Sequence, residues 1–140
     1  MVELVIANFS GGFSMRLHES AEMYLETIYT LSLSKAGVRS IDVAEALGYS
    51  RPSISRAVGL LKEDGYLIVD EDGYLELTEK GLDVAKKVFE RHTILTAALM
   101  ALGVDREAAS EDACRIEHVI SDRSQDAIKA HLEKYGNGTV

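Results

Sequence analysis

The segment from Ser40 to Leu77 constrains the fold of this chain more than any other. Ser40 can cap the short stretch IDVAEALG, in which Ile41, Val43, Ala44 and Leu47 form one apolar face and Gly48 is a stop. After Gly48-Tyr49-Ser50 comes RPSISRAVGLLKEDG, with Pro52 where a first helical turn tolerates it and Ile54, Val58 and Leu61 on one side. Two helices joined by a tight glycine turn form a helix-turn-helix pattern. The runs Tyr66-Leu67-Ile68-Val69 and Tyr74-Leu75-Glu76-Leu77 then flank Asp70-Glu71-Asp72-Gly73, whose Asp-Gly pair signals a hairpin. A helix-turn-helix followed directly by a hairpin is a winged helix-turn-helix.

Helical spacing extends the pattern in both directions. Tyr24, Leu25, Ile28 and Leu31 predict a first helix with Ser20 as its N-cap and Gly37 beyond its end. Downstream, Thr78 is the expected cap of a long helix with Leu82, Val88, Leu95 and Leu99 among its apolar positions and Gly103 as its stop. A further helix is expected from about Asp105 to Ile120, and a last one capped by Ser121 and ending near Gly136. The fold class is therefore mainly α, a winged helix-turn-helix DNA-binding domain over 15–77 followed by an all-helical domain over 78–140. Residues 1–14 read as an N-terminal extension and are set aside from the fold. Leu95, Ala98, Leu99 and Leu102 offer more apolar surface than a three-helix unit needs, so a homodimer is expected.

Of the 140 residues, 46% are hydrophobic and 27% charged, without an apolar run long enough to cross a bilayer. The opening MVELVIANF lacks the basic start and small-residue cleavage site of a signal peptide, so a cytoplasmic location and no membrane partner are expected. The net charge of −8 argues against nucleic-acid binding by the chain as a whole. Locally the balance reverses: from Tyr49 to Lys62 the cations Arg51, Arg56 and Lys62 stand without an acid. The start of the second helix of such a motif enters the major groove. Ser50, Arg51, Pro52, Ser53 and Arg56 are thus the candidate contacts to double-stranded operator DNA, since Arg and Ser suit base edges and phosphates and a proline ring can meet a thymine methyl. The competing reading is a solvated helix with ordinary surface charge. Asp70, Glu71 and Asp72 would repel phosphate, so the wing is expected to stand off the backbone.

A second constellation lies in the helical domain. In Asp112-Ala113-Cys114-Arg115-Ile116-Glu117-His118, positions 114, 117 and 118 share one face of the expected helix, beside an apolar stripe of Ala109, Ala113, Ile116 and Ile120. Thiolate, carboxylate and imidazole together suit a divalent transition metal rather than calcium or magnesium. Met23 and Glu26 form another three-apart pair upstream, and His92 interrupts an apolar stretch. A lone Cys, Met or His on an apolar face is more often packing than ligand. Cys114, the only cysteine, can form no intrachain disulfide and is either a core filler or a used thiolate.

Over about Leu17 to Tyr135, the stretches SAEMYLETIY, VAEALGYSRPSISRAVGLLKEDGYL, LELTEKG and above all EDACRIEHVISD resemble the metal-dependent repressors of the diphtheria toxin repressor and manganese transport regulator family. The resemblance implies that Met23, Cys114, Glu117 and His118 bind an activating metal as in the iron-responsive branch. It places His92 on a ligand position of both branches and Glu26 on a ligand position of the manganese branch. In length the chain resembles the short, manganese-type architecture, so no SH3-like domain is expected. The iron-type ancillary site would need an acid at Thr96 and a histidine at Ser110, and both are missing. The implied function is a metal-activated repressor controlling metal-uptake genes, with Fe(II) favoured and Mn(II) second. Two rival readings are a winged-helix regulator answering a small molecule or oxidation at Cys114, and a metalloenzyme built on Cys114, Glu117 and His118. The latter lacks a separate acid or base in an obvious motif, so no enzyme is expected.

Overall fold

The computed structural model describes residues 11–136, with side chains from Ser20 onward. Its elements, in chain order, are α1 (Gly11–Ser32), α2 (Ser40–Leu47), α3 (Arg51–Glu63), β1 (Leu67–Val69), β2 (Leu75–Leu77), α4 (Glu79–Ala101), α5 (Arg106–Ile116) and α6 (Asp122–Tyr135). The chain forms two compact units, 1–86 and 87–140, which divide within α4. Among the described residues, no helix is long and apolar enough to cross a membrane.

The first unit is the winged helix-turn-helix. Gly48 adopts φ 71°, and its N–H reaches the Ala44 carbonyl, so the chain leaves α2 through a left-handed residue that glycine adopts without a Cβ penalty. Ser50 caps α3 by accepting from Ser53 N–H at 3.3 Å, two residues before Pro52. β1 and β2 pair antiparallel in the register Leu67↔Leu77, Ile68↔Glu76 and Val69↔Leu75. The turn between them is tied by Asp70, whose Oδ1 accepts from Asp72 N–H at 2.8 Å and Tyr74 N–H at 2.9 Å. Leu25, Ile28, Val38, Val43, Ala44, Ile54, Leu61, Leu67 and Leu75 meet in one buried core drawn from every element of this unit up to the wing.

Thr78 fastens the base of the wing to α4. Its hydroxyl donates to the Gly65 carbonyl at 2.7 Å and accepts from Gly81 N–H at 3.2 Å. Gly81 is buried, and a Cβ there would lie 2.0 Å from the Tyr66 carbonyl oxygen, so the close approach needs glycine. At the other side of the wing, the Arg39 guanidinium stacks 4.5 Å from the Tyr74 ring centroid.

Three expected boundaries are corrected. α1 begins at Gly11, within the segment set aside as an extension, and Ser20 lies inside the helix rather than at its cap. Neither glycine nor proline interrupts the sequence between residues 13 and 20. Residues 1–10 of the extension lie outside the described residues. α2 is entered through Arg39, not Ser40: the Asp42 carboxylate accepts the Arg39 N–H at 2.8 Å and does the capping from within the first turn. α5 ends at Ile116, not Ile120, because Val119 and Ile120 N–H groups both turn back to the Ile116 carbonyl at 3.0 Å before Ser121 opens α6.

In the second unit, Val88, Ile94, Leu95, Ala109, Ala113 and Leu132 are buried. Leu95 is therefore core and not surplus surface, whereas Leu102 is 81% exposed. The half of α4 that belongs to this unit thus carries a core stripe, and the exposed Leu102 follows directly on its end.

Candidate functional site

The donor set of the second unit is built from α4, α5 and the turn after α5. His92 projects from α4, and its Nδ1 lies 2.9 Å from Glu117 Oε1. The second ring nitrogen, Nε2, lies 3.2 Å from Ser110 Oγ. Glu117 closes α5 with φ −59° and ψ −25°, still right-handed helical, and its N–H still reaches the Ala113 carbonyl at 2.9 Å, so its side chain keeps the phase of the helix. Its backbone carbonyl accepts from Arg91 Nη1 at 3.2 Å, and Arg91 also bridges to Asp122 at the start of α6. The end of α5 is thereby held by a cation, which also suits the negative end of the helix dipole.

Glu117 is wholly buried. Its Oε2 stands 3.3 Å from His118 Nε2 but has no hydrogen-bond partner among the described residues. A buried carboxylate oxygen without a hydrogen bond is costly, and a cation relieves that cost. His92, Cys114 and Glu117 each offer an atom, a ring nitrogen, Sγ and a carboxylate oxygen, all within 4.8 Å of one another. One nitrogen, one sulfur and one oxygen donor at that separation fit a divalent transition metal.

The structure thus brings His92, Cys114 and Glu117 together, with His118 beside Glu117. Cys114 is exposed, so it is not a core filler. Met23 and Glu26 lie on α1 in the first unit, both half-buried. Ser110, which the sequence marks only as the place where the iron-type ancillary site would need a histidine, joins the set through His92 Nε2. Its spacing of seven from Glu117, two helical turns, was the available signal.

The DNA-facing candidates lie together at the start of α3. Ser50, Arg51, Pro52 and Arg56 are exposed and Ser53 half-buried, while Ile54 and Leu61 face the core. The helix is therefore polar and cationic outward and apolar inward, the division that a helix entering the major groove requires. Tyr24 of α1 meets Tyr49 edge-to-face with ring centroids 6.2 Å apart. Burial, and secondarily Tyr49, push the Tyr24 phenol above its ordinary value while Arg56 draws it down. The acidic wing tip is exposed, and the Asp70 carboxylate is engaged by its own turn.

Comparison with known proteins bears on both sites. Residues 16–75 match the family described as the iron-dependent repressor N-terminal DNA-binding domain, and residues 78–137 match the iron-dependent repressor metal-binding and dimerisation domain. The chain is 39% identical over 109 residues to the HTH-type transcriptional regulator MntR of Bacillus subtilis, covering 78% of this chain and 77% of that protein. It is 31% identical over 121 residues to an uncharacterized HTH-type transcriptional regulator of Methanocaldococcus jannaschii, covering 85% and 97%. Among solved structures, a manganese-dependent transcriptional repressor in complex with manganese superposes with a TM-score of 0.76 at 30% identity, over 81% of this chain and 52% of that one. The T. acidophilum IdeR structure superposes with a TM-score of 0.69 at 26% identity, over 82% and 53%. The chain thus spans about half the length of these two solved chains. With both halves matched in order, and with the helix-turn-helix, wing and helical domain in place, the chain belongs to the diphtheria toxin repressor and manganese transport regulator family of metal-dependent transcriptional repressors.

Proposed function

We propose that this chain represses metal-uptake genes by binding operator DNA as a homodimer when loaded with a divalent metal, and that it is not an enzyme. The observation that carries this reading is the buried Glu117 carboxylate, with one oxygen on His92 and the other without a hydrogen bond, beside the exposed Cys114. A bound divalent ion would engage the Glu117 oxygen that has no hydrogen bond. Cys114, Glu117, His118 and His92 hold it from the helical domain. Met23 and Glu26 join them from α1, a role supported by the family resemblance and by donor chemistry. Ligands so far apart in sequence couple the two domains, and the conformer with recognition helices spaced for successive major grooves gains population. Ser50, Arg51, Pro52, Ser53 and Arg56 then meet DNA. We place the division between the DNA-binding and metal-binding parts at Thr78.

Fe(II) is favoured over Mn(II) because Cys114 and Met23 supply sulfur, which suits iron better than the harder manganese ion. Glu26 and the solved relatives named as manganese regulators support a manganese reading instead. Anaerobic gel shifts with added Fe(II), Mn(II) or chelator, paired with sedimentation, test the proposal. A metal-dependent shift of operator-length DNA by a dimer is the expected result. DNA binding indifferent to metal and chelator would favour the small-molecule or redox regulator, and a strictly monomeric species at micromolar concentration would remove the dimer.

A further inference from the structure

We infer that Ser110 is a positioning residue of the metal centre, holding the outer nitrogen of His92 so that the inner one is presented to the donor set. The inference rests on the metal-repressor reading above. His92 is gripped at both ends: Nδ1 lies 2.9 Å from Glu117 Oε1 and Nε2 lies 3.2 Å from Ser110 Oγ. Ser110 and Glu117 are seven residues apart, two turns of helix, so both reach the same ring from one face of α5 and its terminal turn. Two contacts on opposite ring nitrogens fix the imidazole plane, which a single contact would leave free to swing.

The chemistry of the hydroxyl suits this place. An imidazole nitrogen binds a cation through its lone pair, so the ring proton must then sit on the other nitrogen. Nδ1 faces Glu117, and Nε2 is therefore the proton-bearing atom in the loaded site. A serine hydroxyl can accept that N–H, and it can also donate to Nε2 when the proton is on Nδ1. Ser110 thus satisfies the ring in either arrangement without competing for the ion. A histidine at this position would offer a ligand. A serine offers an outer hydrogen bond, which commits His92 to the cluster with Cys114 and Glu117. Partners of this kind typically contribute about 10- to 100-fold in metal affinity.

Ser110 and His92 both line a cavity of about 680 Å³, which leaves room for the extra methyl of threonine. The test uses the full chain as Ser110→Ala and Ser110→Thr, titrated anaerobically with Mn(II) and Fe(II) by calorimetry. Ring-nitrogen NMR of His92 is recorded with diamagnetic Zn(II). Ser110→Ala should lose about 10- to 100-fold in affinity and Ser110→Thr should retain most of it. The parent should show the proton on Nε2, and Ser110→Ala should lose that hydrogen-bonded signature. Equal affinity of Ser110→Ala and the parent overturns the inference, as does an equal loss in both variants. If Ser110→Ala does not fold, the parent's NMR decides, since an Nε2 without a hydrogen-bonded proton in the Zn(II) form refutes it. A parent that binds neither Mn(II) nor Fe(II) removes the repressor reading itself. A parent that binds while the variants match it removes only the role of Ser110.

Discussion

His92 Nδ1 and Glu117 Oε1 are 2.9 Å apart, and this contact ties α4 to the end of α5. Glu117→Gln keeps the shape and removes the charge that would draw a cation. The parent should gain stability on metal addition, about 2.7 kcal/mol when free metal is 100 times the dissociation constant. Glu117→Gln should show almost none of that gain in paired thermal melts with and without Mn(II). A full metal-induced shift in the variant would remove Glu117 from the ligand set.

Arg51 and Arg56 are exposed on the outward side of α3, whereas the core of that helix is Ile54 and Leu61. Arg51→Ala or Arg56→Ala should weaken operator binding by about 1 to 3 kcal/mol where the side chain reads a base edge, without altering metal affinity. A residue that meets only phosphate should instead weaken all sequences alike and reduce the salt dependence. Unchanged DNA binding in both variants would show that α3 is not the reading helix.

Cys114 is the soft member of the donor set. Cys114→Glu replaces it by a hard carboxylate, so the metal response should move from Fe(II) toward Mn(II) in anaerobic DNA-binding titrations. The parent should respond at lower free Fe(II) than Mn(II). The reverse order in the parent would establish manganese as the activating ion and leave the metal-regulated mechanism intact.

Gly81 sits where the wing meets α4, and a Cβ there would lie 2.0 Å from the Tyr66 carbonyl oxygen. Helix propensity alone would make Gly81→Ala stabilising. Crowding against backbone should win, because Tyr66 is held on both sides, its N–H by the Leu61 carbonyl and its carbonyl by Thr78 N–H. Urea unfolding should show a loss of about 1 to 3 kcal/mol. A gain would mean that the wing base yields without cost.

Asp42 is held below the ordinary carboxylate value, first by the hydrogen bond from Lys35 and then by the Arg39 N–H. A depressed folded-state value means that its stabilisation is present above the unfolded value and is lost as pH falls through the folded one. Parent and Asp42→Asn should differ in stability at neutral pH and converge in acid. A difference that persists unchanged below the folded value would show that the charge is not the cause.

Local signals determined much of this protein. The glycine at 48, the serine cap at 50, the Asp-Gly at the wing and the apolar spacing of Ile54, Val58 and Leu61 act over a few residues, so helix-turn-helix and hairpin could be read directly from the sequence. The placing of Glu117 and His118 three and four residues after Cys114 is likewise readable in the sequence as a candidate donor set, of which the structure groups Cys114 and Glu117 with His92. That Asp42 and not Ser40 secures the start of α2 shows only in the structure, where Lys35, in the turn after α1, holds the Asp42 carboxylate beside the Arg39 N–H. Only tertiary structure showed that His92 is gripped between Glu117 and Ser110, since that contact spans 18 and 25 residues of chain. Patterns of short period survive in the sequence because one helix or hairpin sets them. A ring of one helix held by two residues of another depends on how the two helices pack, and no single segment carries that information.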